Sequence, residues 1–145
     1  MLRVMAMEPV TVLFLCTGNS ARSIMAEAIL NSMGRPRFVA LSAGSHPTGV
    51  VNPKSLETLK RHNIECGELR SQSWDECSST KVDLVVTVCD QAAGESCPLF
   101  HGSPEKRHWS IPDPARVSGT DEEIATAFDE AFRLLHTRIE QEILS

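Results

Sequence analysis

No stretch of the 145 residues approaches the roughly 18–20 consecutive apolar residues that cross a bilayer, so a helical membrane span is excluded. Met1 to Pro9 carries a single basic residue and no apolar core of signal-peptide length. Export is therefore not expected, and the expected setting is the cytoplasm. A basic excess is missing too: 14 Lys and Arg stand against 19 Asp and Glu, for a net charge of −5. That balance argues against a general nucleic-acid binder, which presents a basic face, but leaves room for a local cradle that binds a small anion. Neither Cys-x2-Cys nor His-x3-His spacing occurs among the five cysteines and five histidines. No metal site and no bound cofactor are expected on that pattern. His46, His62, His101, His108 and His136 are scattered, and each reads as a surface or packing residue. Internal repeats and low-complexity tracts are absent as well.

What is present suits one globular domain. At 41% apolar and 23% charged residues, the chain can bury a core without staples. Residues 1–9 read as a short N-terminal extension and 10–145 as the domain. Five cysteines, an odd number in a chain with no export signal, read as reduced and reactive rather than as a disulfide framework.

Apolar patterning alternates between strand and helix. Val10 to Leu15 is nearly continuous in apolar and β-branched residues, as in a strand buried on both faces. Ile24, Met25, Ala28, Ile29 and Met33 follow at helical spacing, stopped by Gly34 and Pro36. Phe38 to Leu41 reads as a second strand, and Asn52-Pro53 as the N-cap and first position of a second helix. Ser73-x-x-Glu76 has the form of a capping box. Asp83 to Val88 predicts a third strand ending at Cys89, and Arg107 to Ile111 a short fourth. Thr120-x-x-Glu123 predicts the start of a long amphipathic helix with Ile124, Phe128, Ala131, Phe132, Leu135, Ile139 and Ile143 on its apolar face. The pattern predicts a single α/β domain with a parallel sheet, in which ligands sit at the carboxyl ends of strands. Cys16 and Cys89 both fall at such ends.

The densest chemistry lies in Val12-Leu13-Phe14-Leu15-Cys16-Thr17-Gly18-Asn19-Ser20-Ala21-Arg22-Ser23. A strand, a seven-residue turn from Cys16 to Arg22 and a helix from about Ser23 aim several backbone N–H groups at one point. Unpaired amides and the helix dipole favour a tetrahedral oxyanion there. The same amides and Arg22 are expected to hold Cys16 as the thiolate, the form that attacks. Thr17, Gly18, Asn19, Ser20, Ala21 and Ser23 are the candidate substrate-binding residues. Asn19 is suited to a left-handed backbone or to tying the loop with its side chain, and Ser20 and Ser23 offer hydroxyls to the sulfur or the oxyanion.

This loop resembles the anion loop of the low-molecular-weight protein tyrosine phosphatases, and Asp113-Pro114 resembles that family's general-acid motif. The resemblance covers nearly the whole chain in order and spacing. It implies a four-stranded parallel sheet flanked by helices on both faces, with Cys16 as nucleophile, Arg22 as oxyanion clamp and Asp113 as acid. Asn19, Glu27 and Ser42 look like positions that hold a monovalent cation in some relatives, but Gln72 stands where the acidic partner is usual.

The departures select a branch. The chain contains no tyrosine, and the Asp113 loop has no aromatic to stack on a phosphotyrosyl ring. Ala21 and Ile24 stand where tyrosine-directed members commonly have a second cysteine and a proline. Val88-Cys89-Asp90-Gln91-Ala92-Ala93-Gly94-Glu95-Ser96-Cys97-Pro98 adds two cysteines after a strand. That segment resembles the redox segment of the arsenate reductases that share the phosphatase fold. The resemblance implies an intramolecular disulfide cascade, Cys16 to Cys89 to Cys97, with thioredoxin or glutaredoxin as electron donor. Arsenate is the implied substrate, with phosphate or sulfate as analogues. Hydrolysis of phosphomonoesters, a glutaredoxin- or thiol-coupled reductase and an oxyanion sensor with inert Cys16 remain as alternatives. Cys66 and Cys77 fit no role.

Overall fold

A computed structural model describes residues 8–95, 100 and 102–145. The expected N-terminal extension lies largely outside these residues. Strand β1 (Val10–Leu15) sits at the centre of a four-stranded, wholly parallel sheet. It pairs with β2 (Phe38–Ala43) on one side and β3 (Leu84–Thr87) on the other, and β4 (Glu105–His108) closes the sheet beyond β3.

Val12 to Leu15 are buried, which is why this strand is apolar without alternation. Val12 and Phe14 face the larger core, shared with Met25 and Ile29 of helix α1 (Arg22–Gly34), Leu59 of α2 (Pro53–Arg61) and Phe128, Phe132 and Leu135 of the long C-terminal helix (Asp121–Ile139). Leu13 and Leu15 face a smaller cluster with Ala43, Cys77, Val85 and Phe100, covered by one turn of 3-10 helix at Trp74–Cys77. Helices thus flank both faces, but unequally.

Local signals did what their chemistry predicts at most boundaries. The Asn52 side chain accepts from the Lys54 amide with Pro53 at the first helical position. Thr120 and Glu123 exchange reciprocal side chain–backbone hydrogen bonds at the start of the long helix. Four expectations need correction. Ser73 caps through the Asp75 amide on a 3-10 turn, not through a capping box. β2 runs two residues past Leu41 because Ser42 and Ala43 still find partners in Phe14 and Leu15. β3 is shorter than Asp83–Val88, with the Asp83 carboxylate receiving the Thr11 amide at 2.8 Å. β4 begins at Glu105 because register with Leu84–Thr87 outranks the apolar signal of Trp109 and Ile111. Trp109 is buried beyond the strand, 5.9 Å from the Phe14 ring, with its indole N–H donating to Glu142.

The strand order β2-β1-β3-β4 makes the carboxyl ends of β1 and β3 the point where the chain's connections diverge to either side. Leu15 pairs with Thr87, and the Val88 amide donates to the Leu15 carbonyl at 2.9 Å. Register alone therefore sets Cys16 and Cys89 side by side. Among the described residues, no helix is long and apolar enough to cross a membrane.

Candidate active site

The turn after β1 is held by an asparagine. Asn19 is fully buried with φ of 43°, the left-handed conformation that asparagine tolerates. Its amide nitrogen donates to Ser23 Oγ (2.8 Å) and Ser42 Oγ (3.0 Å), and its carbonyl accepts the Gln72 amide (2.8 Å). Ser42 in turn donates to Glu27 at 2.6 Å. Burial raises the Glu27 carboxyl to about 7, against the opposing hydrogen bond from Ser42. These are the residues matched to a cation site in relatives. Here they form a hydrogen-bonded chain that fixes the loop, and no His, Cys, Asp and Glu cluster suited to a metal occurs among the described residues.

Glycine at 44 is demanded by the same loop. A Cβ there would lie 2.4 Å from the carbonyl oxygens of both Cys16 and Thr17, far inside contact distance. Only the folded loop reveals this close approach.

Cys16, Thr17, Gly18, Arg22, Cys89 and Asp113 line one cleft of about 580 Å³. Arg22 donates through Nη1 to the Ile111 carbonyl (2.8 Å) and lies 3.4 Å from the Asp113 carboxylate through Nη2. Its Nε is buried without a protein partner, which leaves a cationic donor for a ligand. Asp113 opens a 3-10 turn (Pro114–Arg116), its Oδ1 receiving the Ala115 amide at 3.0 Å and Oδ2 lying 3.6 Å from Arg116. The Ser20 hydroxyl donates to the Val50 carbonyl at 3.1 Å. Ala21 is the buried N-cap of α1.

Cys89 follows β3 and caps helix α3 (Asp90–Ala93), where its sulfur accepts from the Ala92 amide at 3.4 Å. The same sulfur accepts from the Thr17 amide, also at 3.4 Å. A donating thiol from Cys16, outweighing burial and joined by these amides, brings Cys89 down to about 5. The hydrogen bond to Cys89, together with burial, raises the Cys16 thiol despite the Arg22 charge. The two thiols are coupled and titrate as a pair, with the Arg22 charge and the Gly18 amide favouring the thiolate on Cys16. Cys16, Cys66, Cys77 and Cys89 are all free thiols. Cys97 lies outside the described residues.

Two further carboxylates went unread in the sequence. Asp90 lines the cleft and accepts from Ser110 Oγ and pairs with His108 Nε2, each at 2.9 Å. Glu95 accepts from Ser45 Oγ at 2.7 Å and Thr17 Oγ1 at 3.4 Å. Both lie in the segment singled out for its cysteines, where spacing gives the carboxylates no role of their own.

A parallel sheet whose central strand feeds a Cys-x5-Arg loop and a helix, with Asp-Pro across the cleft, defines an α/β protein of the cysteine-phosphatase type. The model of the low molecular weight phosphotyrosine protein phosphatases matches residues 11–144, and the chain belongs to that family. Among curated proteins it is 40% identical to an arsenate reductase of Halalkalibacterium halodurans over 81% of this chain and 83% of that one. Among solved structures it is similar to an arsenate reductase in the phosphate-binding state (TM-score 0.77, 22% identity), covering 93% of this chain and 97% of that one. It also resembles a thioredoxin-dependent arsenate reductase of Corynebacterium glutamicum (TM-score 0.63, 25% identity), covering 93% of this chain and 64% of the other.

Proposed function

We propose that this protein reduces arsenate to arsenite in the cytoplasm, using Cys16 and then Cys89 as successive thiols. One observation carries the reading: a second thiol, Cys89, is built into the wall of the anion loop with its sulfur on the Thr17 amide. Ester hydrolysis needs one thiolate, whereas a two-electron reduction needs two. The curated relatives named arsenate reductase support the choice of element.

In the proposed cycle the arsenate oxyanion takes the loop amides and the free Arg22 Nε. Cys16 passes its proton to the Cys89 thiolate and attacks arsenic. Asp113 protonates the departing hydroxyl, which leaves as water. Once that proton has passed from Cys89 to solvent, the thiolate attacks the Cys16 sulfur. The sulfur–arsenic bond breaks, its electron pair stays on arsenic, and arsenic falls from the +5 to the +3 state. Arsenite leaves behind a Cys16–Cys89 disulfide. Cys97 thiolate then attacks Cys89 and frees Cys16, giving a Cys89–Cys97 disulfide that an external dithiol of the thioredoxin type reduces. No bound cofactor enters the cycle.

Phosphate shares the shape and charge of arsenate, so slow hydrolysis of an aryl phosphate through Cys16, Arg22 and Asp113 accompanies the main reaction. Cys89→Ser separates the two. Arsenate turnover is expected to be abolished with aryl phosphate hydrolysis retained, and persistence of arsenate reduction in that variant overturns the proposal. Mass spectrometry after arsenate exposure without reductant is expected to find the Cys89–Cys97 disulfide. A small-thiol adduct on Cys16 would instead favour a glutaredoxin-type cycle.

A further inference from the structure

Thr17 is gripped twice by the segment that follows β3. Its amide donates to Cys89 Sγ at 3.4 Å, and its hydroxyl donates to Glu95 Oε1 at 3.4 Å while lying 3.7 Å from Cys89 Sγ. Glu95 Oε1 also accepts from Ser45 Oγ at the short distance of 2.7 Å, and Oε2 lies 3.8 Å from His46 Nδ1. Ser45 and His46 belong to the turn after β2, whose backbone is itself joined to the loop through His46 N to Thr17 O at 2.9 Å. One carboxylate, largely shielded at 18% exposure, therefore ties three elements together: the anion loop, the β2 turn and the far end of α3.

The position of that tie has a mechanical consequence. Helix α3 is only four residues long, too short to hold its own shape. It is anchored at its first end by Cys89 and just past its last turn by Glu95. Of its four residues Ala92 alone is buried. We propose that Glu95 is a positioning residue that latches α3 onto the anion loop and so holds the Cys89 sulfur in line with Cys16 for the disulfide-forming step. The inference rests on the two-thiol reading of the site, since a hydrolase that uses Cys16 alone gains nothing from a fixed Cys89. Aspartate would be too short to span from α3 to both hydroxyls, whereas glutamine keeps the acceptor oxygen at the same reach.

Two measurements on Glu95→Ala and Glu95→Gln test this. The first is the rate at which a diazenedicarboxamide oxidant closes the Cys16–Cys89 disulfide in the full chain carrying Cys97→Ser, which keeps the disulfide from passing on, followed by alkylation and mass spectrometry without arsenate. Glu95→Ala is expected to slow closure roughly tenfold, the cost of loosening a reacting pair by a fraction of an ångström, and Glu95→Gln to restore most of it. The second is the comparison of kcat for arsenate with kcat for an aryl phosphate, where the alanine variant is expected to lose more of the former. Disulfide closure at the wild-type rate in Glu95→Ala overturns the latch. So does an equal loss of both activities, which would make Glu95 a support of the loop as a whole. A wild-type enzyme that fails to reduce arsenate sinks the proposed reaction, while the oxidant measurement still decides the latch.

Discussion

The two halves of the site are built in opposite ways. The loop from Cys16 to Arg22 is over-determined: Asn19 is fully buried and hydrogen-bonded to three elements, Gly44 presses against the backbone, and α1 behind it runs thirteen residues into the core. The segment from Cys89 to Glu95 is a single helical turn held at its two ends. The loop has to keep oxyanion donors fixed while charge develops, where reorganisation is costly. In the proposed cycle the second segment brings a sulfur in and then surrenders it to another thiol, which a rigid element would prevent. Rigidity is thus allotted to binding and looseness to electron transfer.

The comparison breaks most completely at Cys16. Cys16→Ala removes the proposed nucleophile and is expected to lower both arsenate and aryl phosphate turnover by at least about 10³-fold. It also removes the main hydrogen-bond donor that keeps Cys89 near 5. Alkylation of Cys89 in the wild type is expected to rise with pH through about 5 and then level off, because the thiolate fraction saturates there. In Cys16→Ala the midpoint is expected to move upward, towards the ordinary thiol range. An unchanged profile would mean that the two amides alone set the charge on Cys89.

A second perturbation touches the rigid half only. Gly44→Ala places a methyl against two backbone oxygens that cannot rotate away, so a loss of about 1–3 kcal/mol is expected in denaturant unfolding. Activity should fall with it through displaced loop amides. A variant as stable as wild type would show that the loop is softer than its hydrogen bonds indicate.

This division also explains what could be read from the residues alone. Elements driven by local chemistry were legible: the apolar run of β1, the Asn52-Pro53 start, the Thr120–Glu123 box and the Cys-x5-Arg turn each carry their cause within a few positions. The juxtaposition of Cys16 with Cys89 was legible too, because parallel register brings strand ends together. The ends of β2 and β4 were not, since pairing across the sheet decides them. Nor were Gly44, Asp90 and Glu95, whose partners lie 18 to 78 positions away or in backbone atoms.

The smallest effect lies behind the loop, at Glu27. Its carboxyl ordinarily titrates at 4.5 and is raised to about 7 by burial, so the folded state resists the charge that the unfolded chain accepts. Below about pH 4.5 the residue is protonated in both states and carries no penalty. As pH rises from there to about 7 the unfolded chain ionises first, and stability is progressively lost; above 7 the loss is complete. Glu27→Gln cannot ionise and keeps a carbonyl to accept the Ser42 hydroxyl, which the wild type donates at 2.6 Å. The variant is therefore expected to gain about 2–3 kcal/mol on the wild type at pH 8 relative to pH 4.5, read from urea midpoints at the two values. A difference that does not change with pH would show that Glu27 is charged in the fold, and that the loop rests on an ionised chain through Ser42 and Asn19 rather than a neutral one.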